Sequence, residues 1–147
     1  MALEIFGPFM ITGASNSDCI IILIDARNGV IEQTRRHSII ASLLRIPHVI
    51  VAINKMDMVG YDKSVFTSIV SQYQEVAREL QLEDVYYIPI SALKGDNIIH
   101  SSPNLNWFNG DTLLSHLENI EVEKNTSTVS RFSVQYVIRP QADHLHV

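Results

Sequence analysis

The stretch His48-Val-Ile-Val-Ala-Ile-Asn-Lys-Met-Asp57 decides the fold, because an uninterrupted apolar run passes directly into a polar loop. Two further short apolar runs, at residues 19–24 and 85–90, have the same character. Strands that are apolar nearly throughout are typical of parallel sheets whose two faces are both covered. We therefore interpret the three runs as strands of one parallel sheet.

Longer helical patterns fill the intervals around these strands. Apolar residues recur at spacings of three and four over residues 62–82, which is the period of an α-helix. We also interpret residues 30–44 and residues 112–120, where apolar residues cluster, as helices. We expect Asp62 and Asp111 to cap the second and third helices. The alternation of strands and helices predicts an α/β fold with three layers, α/β/α, built around the parallel sheet.

The composition narrows the class of protein. Hydrophobic residues make up 46% and charged residues 18% of the 147 residues, as in one ordinary globular domain. The net charge of -5 argues against nucleic acid as a partner. No apolar run approaches the roughly 18 residues that span a bilayer, and the first residues lack the basic start of a signal peptide. We therefore expect a cytoplasmic protein with no membrane partner.

The single cysteine and the six histidines give no sign of disulfide or metal chemistry. Cys19 lies inside an apolar run, and we interpret it as a small buried side chain rather than a reactive thiol. The histidines have no acidic or thiol companions at ligand spacing. We therefore predict no metal site.

Two polar loops, each following a strand, carry the candidate chemistry. Ligands of open α/β sheets bind outside the carboxyl ends of the strands, where both loops lie. The carboxylate of Asp57 can accept two parallel hydrogen bonds from the ring N–H and the exocyclic amino group of guanine, a pair that adenine does not offer. Asn54 can bind the neighbouring loop, Lys55 can lay its stem along a purine face, and the Ala92 N–H can donate to guanine O6. The predicted guanine-binding residues are Asn54, Lys55, Asp57, Ser91, Ala92 and Leu93.

Several of these features also have plainer interpretations. Residues 54–57 could form a polar turn, and residues 91–93 taken alone could be an ordinary loop. We interpret residues 25–29 as a turn into a helix, held by local hydrogen bonds, and residues 35–37 as a solvated helix face. Trp107 and Phe108 could anchor the loop before the last helix or present an aromatic side chain to a partner.

A phosphate cradle is expected beside a nucleotide base, yet no stretch fits G-x-x-x-x-G-K-[ST]. Residues 57–60 match the Asp-x-x-Gly spelling of a metal loop, but Asp57 is already assigned to the base. Phosphoryl transfer depends on a lysine at the phosphates and on a magnesium ligand. We expect the isolated chain to bind GTP or GDP weakly or not at all, and to have no catalytic residues for hydrolysis.

Several motifs resemble those of translation-factor GTPases, namely Met10-Ile-Thr-Gly-Ala-Ser15, residues 25–37 and Asn54-Lys-Met-Asp57. More narrowly, residues 25–37, 91–97 and 107–114 are similar to the GTP-binding large subunit of bacterial sulfate adenylyltransferase. This resemblance runs from about residue 10 to residue 140. Elongation factor Tu fits the segment around Trp107 poorly.

The resemblance implies a function and a domain organisation. In the intact family, GTP hydrolysis with magnesium drives the formation of adenosine phosphosulfate from ATP and sulfate, and a separate smaller subunit carries out that chemistry. Asn54, Lys55 and Asp57 match the base-recognition motif of the family. The implied organisation is a partial phosphate-loop GTPase domain at residues 1–122, a linker at 123–130 and the start of a β-barrel at 131–147. The chain is expected to be an N-terminally truncated fragment that lacks the phosphate-loop strand.

A second hypothesis is a non-catalytic α/β interaction or self-association module. In the family, the phosphate-loop strand lies beside the strand at residues 19–24. Without that strand, residues 19–24 would form an exposed apolar edge, which favours pairing with another chain. A third hypothesis, a phosphoacceptor receiver domain, is disfavoured because no acidic pair precedes Asp25.

Overall fold

The computed structural model describes residues 17–121, which form a parallel three-stranded sheet with helices around it. The strands lie in the order β1-β2-β3, and the class and the parallel sheet are as the sequence predicted. The strands are β1 (Cys19–Asp25), β2 (His48–Asn54) and β3 (Asp84–Pro89). The α-helices are α1 (Glu32–Leu43), α2 (Lys63–Glu79) and α3 (Leu113–Asn119), with short 3-10 helices at Met56–Val59 and Pro103–Leu105.

The register of the sheet brings the carboxyl ends of the strands to one edge. Asp25, the last residue of β1, is opposite Asn54, the last residue of β2. Ile53 is likewise opposite Pro89 at the end of β3. The loops that follow the three strands therefore begin side by side, as the candidate site requires.

Alternate residues of the strands face two separate apolar clusters. On one face, Ile24 and Ile53 pack in a cluster with Ala41 of α1 and Tyr73 of α2. On the other face, Ile50 lies in a smaller cluster, and Leu113 of α3 packs against it. Full burial of one such aliphatic side chain stabilises the fold by about 1.5 to 3 kcal/mol. Two helices thus cover one face and a shorter helix covers part of the other.

Strand β1 is buried on one face only within residues 17–121. Ile22 and Ile24 are 2% and 1% exposed, whereas Ile21 and Leu23 are 41% and 62% exposed. The apolar sequence of this strand predicted burial on both faces, and that prediction is wrong in the described part of the chain. The reason is that α1 and α2 both pack on the Ile22 face. The exposed apolar surface is a face of β1 rather than only its edge.

The helix caps were predicted correctly in one case and wrongly in another. The Asp62 carboxylate accepts a hydrogen bond from the Ser64 N–H at 2.7 Å, so Asp62 caps α2 as expected. Helix α3 is capped by Thr112 instead of Asp111, because the Thr112 hydroxyl accepts from the Ser115 N–H at 3.3 Å. The backbone carbonyl of Asp111 accepts a hydrogen bond from the Tyr86 hydroxyl.

Helix α1 ends within one residue of its predicted limit, whereas α2 ends three residues before its predicted limit. After α1, Arg45 adopts a left-handed backbone with φ of 51°, and the Ile46 N–H bonds to the Ala41 carbonyl at 3.1 Å. After α2, Gln81 adopts a left-handed backbone with φ of 55°. A left-handed residue at a helix end is usually glycine, so Gln81 gives no sequence signal of the end of α2.

Several predictions lie outside the described residues: the linker at 123–130, a strand expected at 131–139, the barrel start at 131–147, and the motif at residues 10–15. Within residues 17–121, no helix has both the length and the apolar character to cross a bilayer.

Candidate functional site

The first candidate loop is fixed to the sheet by a buried methionine. Lys55 turns the chain with a left-handed backbone, φ 65°, directly after β2. The Met56 side chain is then fully buried, and its N–H donates to the Ile90 carbonyl at 3.2 Å. Asp57 follows, half-buried, in a 3-10 helix that Gly60 closes with φ of 64°. The position of the Asp57 backbone is therefore set by the core.

The second candidate loop is a closed turn after β3. The Ser91 N–H donates to the Asp96 carbonyl at 3.2 Å, and the Gly95 and Asp96 N–H groups donate back to the Ser91 carbonyl at 2.8 and 3.1 Å. Gly95 takes a φ of 79° that side chains disfavour. Ser91 is buried while Ala92 and Leu93 face solvent, with Leu93 84% exposed. The loop thus presents a short exposed tip.

Side chains of the first loop bind the second loop directly. The Ser91 hydroxyl donates to Asp57 Oδ1 at 2.6 Å. Asn54 Oδ1 accepts from the Ala92 N–H at 2.9 Å and from the Lys55 N–H at 2.7 Å. The structure therefore brings Asn54, Asp57, Ser91 and Ala92 together, and Asn54 holds the neighbouring loop as the sequence predicted. Leu93 lies at the exposed tip, outside these hydrogen bonds.

The Asp57 carboxylate keeps acceptor positions beyond the one that Ser91 uses. An ionised carboxylate offers about four acceptor positions on its two oxygens. The Ser91 hydroxyl uses one of these positions and fixes the rotation of the group. Both oxygens of Asp57 thus remain able to accept parallel hydrogen bonds.

The backbone N–H of Ala92 is already used in this conformation. It donates to Asn54 Oδ1, whereas the sequence suggested donation to guanine O6. A backbone amide has only one hydrogen. Contact with a base carbonyl at this position therefore requires that the hydrogen bond to Asn54 be shared or exchanged.

Lys55 reaches back to the end of β1. Its ammonium group lies 2.8 Å from Asp25 Oδ2, and Arg27 Nη2 lies 2.7 Å from the same oxygen. The hydrogen bond from the Arg27 side chain is the main reason that the pKa of Asp25 lies well below its usual range. The hydrogen bond from Lys55 lowers this pKa further. The turn at residues 25–29 has the local hydrogen bonds that the sequence predicted. The contact of Asp25 with Lys55 was not predicted.

Tyr61 and Asp96 form a second link between the two loops that sequence reasoning missed. The Tyr61 hydroxyl donates to Asp96 Oδ2 at 2.6 Å, and this hydrogen bond is the main reason that the pKa of Tyr61 is raised to about 12. The Trp107 indole N–H donates to the Tyr61 carbonyl at 2.9 Å, and its ring contacts Phe66. Trp107 therefore anchors its loop. No periodic pattern marks Tyr61 in the sequence.

Other titratable groups do not extend the site. Burial raises the pKa of the Cys19 thiol, which makes it a poor nucleophile. In the part of the chain that the structure describes, no group of three or more His, Cys, Asp or Glu side chains could hold a metal ion.

Comparison with known proteins finds relatives that match most of this chain. Residues 4–135 match the family model described as the elongation factor Tu GTP binding domain. Sulfate adenylyltransferase subunit 1 of Shewanella woodyi is 54% identical over 134 residues, which cover 91% of this chain and 29% of that protein. The bifunctional enzyme NodQ of a Rhizobium species is 50% identical over 135 residues, which cover 91% of this chain and 21% of that protein. The chain thus spans less than a third of these relatives.

Solved structures of Sup35 share the fold of this chain. Sup35 complexed with GMPPNP superposes with a TM-score of 0.66 at 31% identity, over 74% of this chain and 30% of Sup35. Sup35 complexed with GDP gives a TM-score of 0.63 at 30% identity, over 72% of this chain and 30% of that one. The chain belongs to the elongation factor Tu GTP-binding domain family and is a homologue of sulfate adenylyltransferase subunit 1.

Proposed function

We propose that this chain provides the guanine-binding half of a GTP or GDP site. The observation that carries the proposal is the 2.6 Å hydrogen bond from Ser91 to Asp57, because it joins the two strand-end loops and orients the carboxylate. The Asp57 carboxylate accepts the ring N–H and the amino group of guanine. The base would lie against the edge formed by residues 54–57 and 91–93.

Each remaining residue has a supporting role in the proposal. Asn54 holds the two loops at a fixed distance through its contact with the Ala92 N–H. The stem of Lys55, whose side chain is 47% exposed, lies along one face of the purine. Leu93 is 84% exposed at the loop tip and is available for apolar contact with the nucleoside.

At the level of the whole protein, we propose a role in sulfate activation. The homology with sulfate adenylyltransferase subunit 1 supports a GTPase subunit that works with a smaller catalytic subunit to form adenosine phosphosulfate. We propose a cytoplasmic location for the same reason. In this proposal the described residues contact the base, and none of them is assigned to the phosphates. That the isolated chain does not hydrolyse GTP stays a prediction.

The experiment that tests guanine recognition is a nucleoside titration of the whole chain, followed by two-dimensional NMR. One bidentate contact contributes about 1 to 3 kcal/mol, whereas micromolar affinity needs about 8 kcal/mol, so millimolar nucleoside is required. Guanosine should shift the amide signals of Asp57 and Ala92. Inosine, which lacks the amino group, should bind more weakly, and adenosine should cause no shift. Equal shifts with all three nucleosides would reject the proposal.

Self-association through β1 is a second candidate function, favoured by the exposure of Ile21 and Leu23 on one face. A second copy of the chain that covers this face would remove both side chains from water. Light scattering should then show a dimer that dissociates in Leu23→Lys. Leu43→Lys, which alters an exposed leucine on α1, is the matched control. A monomer at every concentration would reject this candidate.

A further inference from the structure

Asp25 lies beside the proposed guanine site, although it is not one of the base-binding residues. It is the register partner of Asn54 at the carboxyl end of the sheet. The next residue, Ala26, donates its N–H to the Asn54 carbonyl at 2.9 Å, so the hydrogen bonding between β1 and β2 continues past the strand ends. The backbone of Asp25 is therefore fixed relative to the first loop.

The Asp25 carboxylate is oriented by four hydrogen bonds. Its Oδ1 accepts from the backbone N–H and the Nε of Arg27, both at 3.0 Å. Its Oδ2 accepts from Arg27 Nη2 at 2.7 Å and from the Lys55 ammonium at 2.8 Å. The Asp25 carbonyl also accepts from the Gly29 N–H in a turn that uses a φ of 68°. The carboxylate is thus ordered by its own turn, and Arg27 keeps it ionised.

Lys55 is consequently held at both ends. Its backbone N–H donates to Asn54 Oδ1 at 2.7 Å, and its ammonium group is paired with Asp25. The methylene stem between these points runs from the loop after β2 to the end of β1. A free lysine loses much rotamer entropy when it is ordered, and a side chain that is ordered beforehand avoids this cost on binding.

We propose that Asp25 is a positioning residue, which holds the Lys55 stem where it contacts a guanine base. This inference rests on the proposed guanine-binding function and adds a residue to it. Arg27 supports Asp25 in this role because it donates three of the four hydrogen bonds that the carboxylate accepts.

Guanosine is the appropriate probe because it is uncharged. Removal of a carboxylate near an anionic nucleotide would change affinity through charge alone. Asp25→Ala should weaken guanosine binding by roughly two- to fivefold, the range set by one exposed ion pair. Asp25→Asn, which keeps an acceptor for the Arg27 N–H, should weaken it to a similar extent. Glu79→Ala removes a carboxylate paired with Arg35 between α1 and α2 and should leave affinity unchanged.

A double-mutant cycle with Lys55→Met separates positioning from general destabilisation, because methionine keeps an unbranched stem and lacks the ammonium. Asp25→Ala should cause no further loss of guanosine affinity in the Lys55→Met background. An equal loss in both backgrounds, or no loss in the Asp25 variants while Asp57→Ala abolishes binding, would overturn this inference alone. Absence of guanosine binding by the unaltered chain would overturn the proposed function as well.

Discussion

The Ser91 hydroxyl donates a 2.6 Å hydrogen bond to Oδ1 of Asp57, across 34 residues of sequence. Ser91 is fully buried and begins the turn after β3, whereas Asp57 lies in the 3-10 helix after β2. Hydrogen bonds to an ionised acceptor are stronger than those between neutral groups. This contact therefore couples the shape of one loop to the orientation of the carboxylate in the other.

Asp57→Asn should weaken guanosine binding by roughly tenfold or more, because an amide cannot accept both hydrogen bonds of the guanine edge. Calorimetry or NMR titration at millimolar nucleoside measures the change. The variant should remain folded, since Oδ1 of an asparagine still accepts from Ser91. Unchanged guanosine affinity in a folded Asp57→Asn chain would exclude Asp57 as the base-reading residue.

Asn54→Ala should lower the free energy of unfolding by about 0.5 to 1.5 kcal/mol, because the N–H groups of Lys55 and Ala92 exchange their acceptor on Asn54 for water. Urea denaturation measures this loss. Asn28→Ala, a change at an exposed residue of the turn after β1, is the matched control and should stay within about 0.5 kcal/mol. Equal effects of the two variants would show that Asn54 does not hold the loops.

Gly110→Ala should destabilise the fold by about 1 to 3 kcal/mol through overpacking. A Cβ at Gly110 would lie 2.5 Å from the Tyr86 hydroxyl and 2.6 Å from the Phe108 ring. Tyr86 cannot move away easily, because it stacks on His116 with ring centroids 3.7 Å apart. Thermal unfolding of Gly110→Ala and of the exposed neighbour variant Asn109→Ala tests this, and equal melting temperatures would contradict it.

Stability should fall as the pH rises from about 10 to about 12. The folded-state pKa of Tyr87 is raised to about 12 by burial, and that of Tyr61 to about 12 by its hydrogen bond to Asp96. Tyrosine in the unfolded chain has a pKa of about 10. The unfolded chain therefore loses its phenol protons first, so this contribution is complete below pH 10 and is lost above it. Urea unfolding across this range should show a shallower decline in Tyr87→Phe, and an unchanged decline would contradict the prediction.

The strands and the class of the fold could be predicted because their signals are local. Each strand was predicted to within one residue of its observed ends, since a short apolar run bounded by polar residues is typical of a buried strand. The Asp62 cap was predicted for the same reason. The Asp111 cap was wrong because Thr112, one residue later, serves equally well chemically, and only backbone geometry decides between them.

The residues around the candidate loops were harder to predict. The pairs Asp25–Lys55 and Tyr61–Asp96 join positions 30 and 35 residues apart. Neither pair lies on a periodic face, so no pattern in the sequence connects its members. The early end of α2 was missed because Gln81 adopts a left-handed backbone that is usual for glycine.

The sequence by itself determined the alternation of strands and helices, and it placed polar loops after β2 and β3, because hydrophobic periodicity is a property of neighbouring residues. The tertiary structure alone decided which polar groups of those loops meet. That outcome depends on the register of the three strands, which sets Asp25 opposite Asn54 and Ile53 opposite Pro89. Side-chain hydrogen bonds act only over about 3 Å, so their partners are fixed by the packed sheet and not by the order of residues along the chain.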